Sequence, residues 1–232
     1  MSIDAVLFDL DGTLFESQGL YGEAYRRAVL PLLERPLTRD DLQRIRPRSE
    51  SAFFSAAVPE SQRAAALEAF RMEYRALHET RFGGLFDGVH GLLTGVAALG
   101  LKRGIVSGKS RGSWEITSAI VGLAQGFDVV VLDDDVTRPK PDPQGIVLAV
   151  ERLALAPARA VYVGYTASDM EAAAAAGAWP LLATWAPGDS VRRTRALDAA
   201  RAHGAAVAAT PGEALRHIRG RRRGSRGDLS SP

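Results

Sequence analysis

Close to its amino end the chain carries two aspartates one residue apart, Asp9 and Asp11, followed at once by Gly12 and Thr13. The stretch before them, Ile3-Asp4-Ala5-Val6-Leu7-Phe8, is mostly apolar and reads as a buried strand. Side chains alternate along a strand, so Asp9 and Asp11 point the same way if the extended geometry reaches that far. Two carboxylates that close repel each other unless they share a proton or a cation. At the carboxyl end of a parallel strand, the pair suggests a metal-assisted reaction centre. Asp and Gly are also common turn formers, so an isolated Asp-x-Asp-Gly could be only a capped turn. Which reading holds depends on the chemistry supplied further along the chain.

The elements that must position that chemistry fall into two blocks. Between Glu16 and Phe86 no strand is expected; the apolar spacing predicts amphipathic helices at about 20–33, 39–45, 49–56 and 60–80. Their aromatic residues, Tyr21, Tyr25, Phe53, Phe54, Phe70 and Tyr74, read as the packing of a helical unit. From Asp87 onward, helices at about 88–99, 112–121, 143–153, 167–176, 190–203 and 211–219 alternate with strands at about 101–107, 128–132, 160–164, 181–185 and 205–209. Such alternation gives a parallel sheet covered on both faces, with the first helical block as an insertion.

Open parallel sheets place their sites at the carboxyl ends of the strands. Three further segments lie there: Ser107-Gly108-Lys109-Ser110, Arg138-Pro139-Lys140-Pro141-Asp142-Pro143 and Gly164-Tyr165-Thr166-Ala167-Ser168-Asp169. They supply a hydroxyl donor, an ammonium and another carboxylate, a set suited to a phosphoryl group held beside a divalent ion. Gly108-Lys109-Ser110 also matches the end of a nucleotide-binding P-loop. That motif requires a glycine at position 103, where this chain has Arg103, so the P-loop is rejected.

The four segments, in their order, resemble the four motifs of the haloacid dehalogenase (HAD) superfamily, and the text around the second and third resembles its phosphoglycolate phosphatase and pyrophosphatase branch. The resemblance implies an α/β fold, a Rossmann-like three-layer parallel-sheet core at 1–15 and 87–218, with an inserted α-helical C1 cap at 16–86. It implies that Asp9 is a nucleophile forming an aspartyl-phosphate and that Asp11 is the general acid and base. Gly12, Thr13, Ser107, Gly108 and Lys140 would bind phosphate, and Asp9, Asp11 and Asp169 would serve a magnesium ion. Arg46 and Arg48 lie where related caps carry a substrate-specificity loop, although ordinary exposed arginines are an equal reading. The implied activity is a Mg2+-dependent phosphatase acting on a small phosphorylated metabolite, with phosphoglycolate or a sugar phosphate as candidates. Asp11 argues against a dehalogenase, and the absence of lysine from the cap excludes a cap Schiff base; a phosphomutase stays open. One position departs from the family pattern: motif IV begins with Tyr165 where an acid is usual. A neutral phenol is a poor magnesium ligand, so the alternative is a weakened or inactive phospho-ligand binder on the same scaffold.

Bulk properties are ordinary for a soluble globular protein. Of 232 residues 46% are hydrophobic and 24% charged. There is no cysteine, which excludes disulfides and thiolate chemistry. No leader or membrane span is evident, so the expected location is cytoplasmic, as a monomer or homodimer. The pI of about 9.1 comes from residues 219–232, which carry five arginines and one aspartate and are expected to be disordered. Without them the net charge falls from +2 to −2, so nucleic acid is not an expected partner.

Overall fold

The computed structural model describes residues 2–33, 49–123, 125–187 and 190–223. Its strands are β1 (Ala5–Phe8), β2 (Phe15–Glu16), β3 (Gly84–Leu85), β4 (Lys102–Val106), β5 (Val129–Val131), β6 (Ala160–Gly164), β7 (Trp179–Ala183) and β8 (Ala206–Ala208). Its α-helices are α1 (Gln18–Val29), α2 (Glu50–Ala57), α3 (Arg63–Arg81), α4 (Val89–Ala98), α5 (Arg111–Val121), α6 (Gln144–Arg152), α7 (Ala167–Ala176), α8 (Ser190–Ala202) and α9 (Pro211–Arg223).

Six strands form one parallel sheet in the order β5-β4-β1-β6-β7-β8. β1 is buried throughout because both its faces are covered. Val6 and Phe8 join Ile105, Val161, Val163 and Leu181 beneath α4 and α9. Ala5 and Leu7 point the other way, to Val106, Val131 and Tyr162 beneath α6 and α7. The expected three-layer α/β architecture is therefore present, and its period-2 alternation explains why the apolar run has no polar face. Each large side chain so buried contributes roughly 1.5–3 kcal/mol. Because Phe8 is in register with Ile105 on one side and Val163 on the other, the residues that follow β1, β4 and β6 emerge together.

The helices α1 to α3 make a separate core around Tyr25, Phe53, Phe54, Phe70 and Tyr74. Tyr25 stacks on Phe70 with ring centroids 4.6 Å apart. These aromatics pack as the sequence predicts. Residues 34–48, with the helix expected at 39–45 and the arginines Arg46 and Arg48, lie outside the described residues.

Three expectations need correction. The segment between Glu16 and Phe86 does contain strand: β2 and β3 pair antiparallel, Phe15 with Leu85 and Glu16 with Gly84. Two-residue strands carry no periodicity to read, and this ribbon joins the helical unit to the sheet. β7 begins at Trp179, two residues before the expected start at Leu181. Pro180 is tolerated because at that level β7 pairs with β6 alone, and its pairing with β8 starts only at Leu181. The last helix runs on to Arg223, so the first residues of the expected disordered tail are helical; arginine is a good helix former.

Candidate active site

The ladder of β1 continues as far as Asp9, whose N–H donates to the Val163 carbonyl at 2.9 Å. There the extended chain ends. The Leu10 carbonyl accepts from Thr13 and Leu14 at 3.1 and 2.8 Å, and Gly12 takes a left-handed φ of 81°. Around this turn the two carboxylates take different partners. Each has its own lysine.

Asp9 is buried and accepts from the Lys140 ammonium at 2.9 Å. The same ammonium donates to Asp169 at 2.6 Å and to the Tyr162 hydroxyl at 2.8 Å. Asp169 is held in place by a capping box: its Oδ2 accepts from the N–H of Tyr165 and of Thr166 and from the Thr166 hydroxyl. Burial works to raise the Asp169 pKa, but Lys140 and these donors hold it below the ordinary carboxylate range. Asp9 lacks such donors, and burial pushes it up to about 6 against the opposing pull of Lys140. Asp9 follows β1, Lys140 lies in the loop before α6, and Asp169 stands in the first turn of α7, just after β6. Lys140→Met would leave two buried carboxylates without their cation, and an expected loss of about 3–5 kcal/mol is measurable by urea denaturation.

Ser107 and Gly108 follow β4, and with Lys140 they line one cavity of about 20 Å³. The Ser107 N–H donates to the Val131 carbonyl at 3.0 Å, which fixes the loop. The Thr13 main chain is fixed by Trp185, whose indole N–H donates to its carbonyl at 2.9 Å. The Thr13 hydroxyl is buried with no partner, an unmet polar group that calls for a ligand. A larger open groove, about 650 Å³, lies beside Trp179 and His217 at the amino end of β7, away from these strand ends.

Tyr165 packs its ring directly on Gly12: a Cβ at that glycine would sit 2.6 Å from the phenol Cζ. Gly12→Ala therefore combines a ring clash with a strained φ, and a loss of roughly 1–3 kcal/mol in a urea titration is expected. Burial raises the Tyr165 pKa, so the phenol is neutral. The Arg192 guanidinium lies 6.0 Å from the ring centroid.

Sequence reasoning missed Lys109 as a site residue, seeing only a failed P-loop. Its side chain is fully buried, and its ammonium lies 3.2 and 3.3 Å from the two Asp11 carboxylate oxygens. It also donates to the Tyr21 and Tyr74 hydroxyls at 2.7 and 2.6 Å. Asp11 further accepts from the Ser17 hydroxyl at 2.6 Å. The only available signal was rarity, since Lys109 is one of three lysines in the chain.

Asp9, Asp11 and Asp169 are not gathered into a metal-ligand set. Among the described residues no three His, Cys, Asp or Glu side chains converge for a metal. Both Asp169 oxygens are taken, Asp11 faces Lys109, and Tyr165 offers only a neutral phenol. The side chains present thus do not fit a divalent ion as a complete site.

The haloacid dehalogenase-like hydrolase family model matches residues 6–182. The chain is 30% identical over 183 residues to a phosphoglycolate phosphatase of Xylella fastidiosa, spanning 78% of this chain and 80% of that protein. It is 30% identical over 179 residues to the pyrophosphatase PpaX of Bacillus velezensis, spanning 75% and 80%. The solved structure of a hydrolase from Pseudomonas syringae superposes with a TM-score of 0.75 at 22% identity, covering 94% of this chain and 98% of that one, a likeness of fold.

Proposed function

Because the chain belongs to the haloacid dehalogenase-like hydrolase family, we propose that it is a phosphoric monoester hydrolase acting on a small phosphorylated metabolite, phosphoglycolate-like or sugar-phosphate-like. The observation that carries this reading is the buried Asp9 carboxylate, bonded to Lys140 at 2.9 Å, with a pKa that burial raises to about 6. Such a group is an available nucleophile with a cation beside it for the incoming phosphate.

In the proposed reaction an Asp9 oxygen attacks phosphorus, the ester P–O bond breaks, and the leaving oxygen takes a proton from Asp11. Water then attacks the phosphorus of the aspartyl-phosphate, passes a proton to Asp11, and inorganic phosphate leaves as the Asp9–phosphorus bond breaks. Lys140, the Ser107 hydroxyl, the orphan Thr13 hydroxyl and the backbone at Gly12 and Gly108 would grip the phosphate oxygens. The helical unit would act as a cap over this end of the sheet, and Arg46 and Arg48 are the proposed specificity residues. Phosphatases of this family generally use a divalent metal, and magnesium is the ion proposed. Since the side chains do not complete its site, no step above is routed through it. We place the enzyme in the cytoplasm, as a monomer or homodimer without nucleic acid or membrane partners; among the described residues no helix is long and apolar enough to cross a membrane.

A second reading, a phospho-ligand binder with little turnover, is favoured by one observation, the Tyr165 ring seated on Gly12. Phosphate release across a phosphomonoester panel with a magnesium titration separates the two. Turnover on at least one small ester is expected, and its absence throughout would favour the binder.

A further inference from the structure

Lys109 stands in the loop after β4, yet two of its three acceptors belong to the helical unit: Tyr21 on α1 and Tyr74 on α3. The third is the Asp11 carboxylate. An ammonium has three protons, so the tripod is complete. Burial works to lower the Lys109 pKa, and Asp11, Tyr74 and Glu50 raise it.

Beyond the tripod each partner has one consistent direction of donation. The Tyr21 hydroxyl accepts from Lys109 and donates to Glu50 Oε1 at 2.5 Å, while Ser113 donates to Glu50 Oε2 at 3.0 Å. The Tyr74 hydroxyl accepts from Lys109 and donates to Thr117 at 2.9 Å. Thr117 then donates to His78 Nε2 at 3.1 Å, and His78 Nδ1–H donates to the Tyr74 carbonyl at 2.7 Å. This assignment needs a neutral His78, and burial lowers its pKa. The Glu50 N–H donates to the Gly108 carbonyl at 3.0 Å, and the Ser51 N–H to Asp133 at 2.8 Å, so the helical unit is bonded to the loop that carries Ser107 and Lys109 and to the loop after β5.

We infer that Lys109 is a positioning residue that holds the Asp11 carboxylate for proton transfer, and that it does so only while the helical unit supplies Tyr21 and Tyr74. The inference rests on the phosphatase reading above. Its chemistry is specific to the first step: there Asp11 must give a proton only where the leaving oxygen needs one, whereas in the second step it takes a proton from water whatever the ester. With the cap displaced, Lys109 loses two acceptors and Asp11 loses its fixed seat, so an open enzyme cannot protonate a poor leaving group.

The test compares an alkyl phosphate, whose alcohol must be protonated, with p-nitrophenyl phosphate, whose phenolate is stable. Lys109→Met, close in length and uncharged, is expected to slow first-turnover release of the alcohol from the alkyl ester, read by rapid quench, by about a hundredfold or more. Release of p-nitrophenolate in the first turnover is expected to slow far less, because that step asks no proton of Asp11. Tyr74→Phe keeps the ring and removes one acceptor; it should shift the alkyl-to-aryl rate ratio in the same direction by less, and it decides the matter if Lys109→Met does not fold by circular dichroism. Equal losses on both esters, or no loss on the alkyl ester, would overturn the inference. If the unmodified protein hydrolyses neither ester, the phosphatase reading falls first and this inference with it.

Discussion

Asp9→Asn is expected to lower phosphate release by at least about a thousandfold, since an amide cannot form the aspartyl-phosphate. The same change is expected to stabilise the fold at neutral and alkaline pH. The folded-state pKa of Asp9 is raised by burial from 3.8 to about 6. Its stabilising linkage is therefore complete below the unfolded pKa and is lost as pH rises through about 6. Above that point the natural protein carries a disfavoured buried charge, and asparagine does not. Lys140 keeps Asp169 at 2.6 Å and Tyr162 at 2.8 Å after the substitution. The difference should be of the order of 2 kcal/mol in favour of the variant near pH 8 and should close toward pH 4. Thermal melts at the two pH values, alongside a phosphate-release assay, measure both effects. A variant that is less stable near pH 8 would show that the Lys140 pair outweighs burial.

Tyr165→Asp is expected to raise apparent magnesium affinity at least about tenfold and to raise kcat/KM by a similar factor at limiting magnesium. The substituted carboxylate would stand beside Asp169, whose Oδ2 already accepts from the residue-165 N–H at 3.0 Å. The phenol packing on Gly12 is lost, so without metal the variant should melt earlier than the natural protein. Added magnesium should recover that loss, because an ion that binds only the folded state stabilises it by mass action. The melting shift with magnesium is a readout independent of turnover. If activity rises from near zero, the natural chain is the phospho-ligand binder; if the shift is absent, position 165 is not part of a metal site.

Much of the molecule was legible in the sequence because its pattern is repeated and redundant. β1, β4 and β6 are short apolar runs flanked by turns, and the helices between them carry long apolar stripes, so strand ends and the residues there could be placed. Asp9, Lys140 and Asp169 meet for that reason. What escaped was set by tertiary contact. β2 and β3 are two residues each and exist only because they pair with one another. That Asp9 meets Lys140 while Asp11 meets Lys109 depends on the turn at Gly12 and on loops far along the chain. Lys109 reaches Tyr21 and Tyr74 across sequence separations of 88 and 35 residues, which no local pattern records. The metal set was inferred from residue types, whereas Lys140 and the turn before α7 had already taken up the Asp169 oxygens.

The central claim is that Asp9 is phosphorylated and dephosphorylated in each turnover. The most direct measurement is acid quenching of the protein during hydrolysis of a small phosphomonoester, followed by peptide mass spectrometry. A phosphoryl adduct on the peptide containing Asp9, absent from Asp9→Asn, is the predicted result. Turnover without that adduct, or with the adduct on another residue, would contradict it.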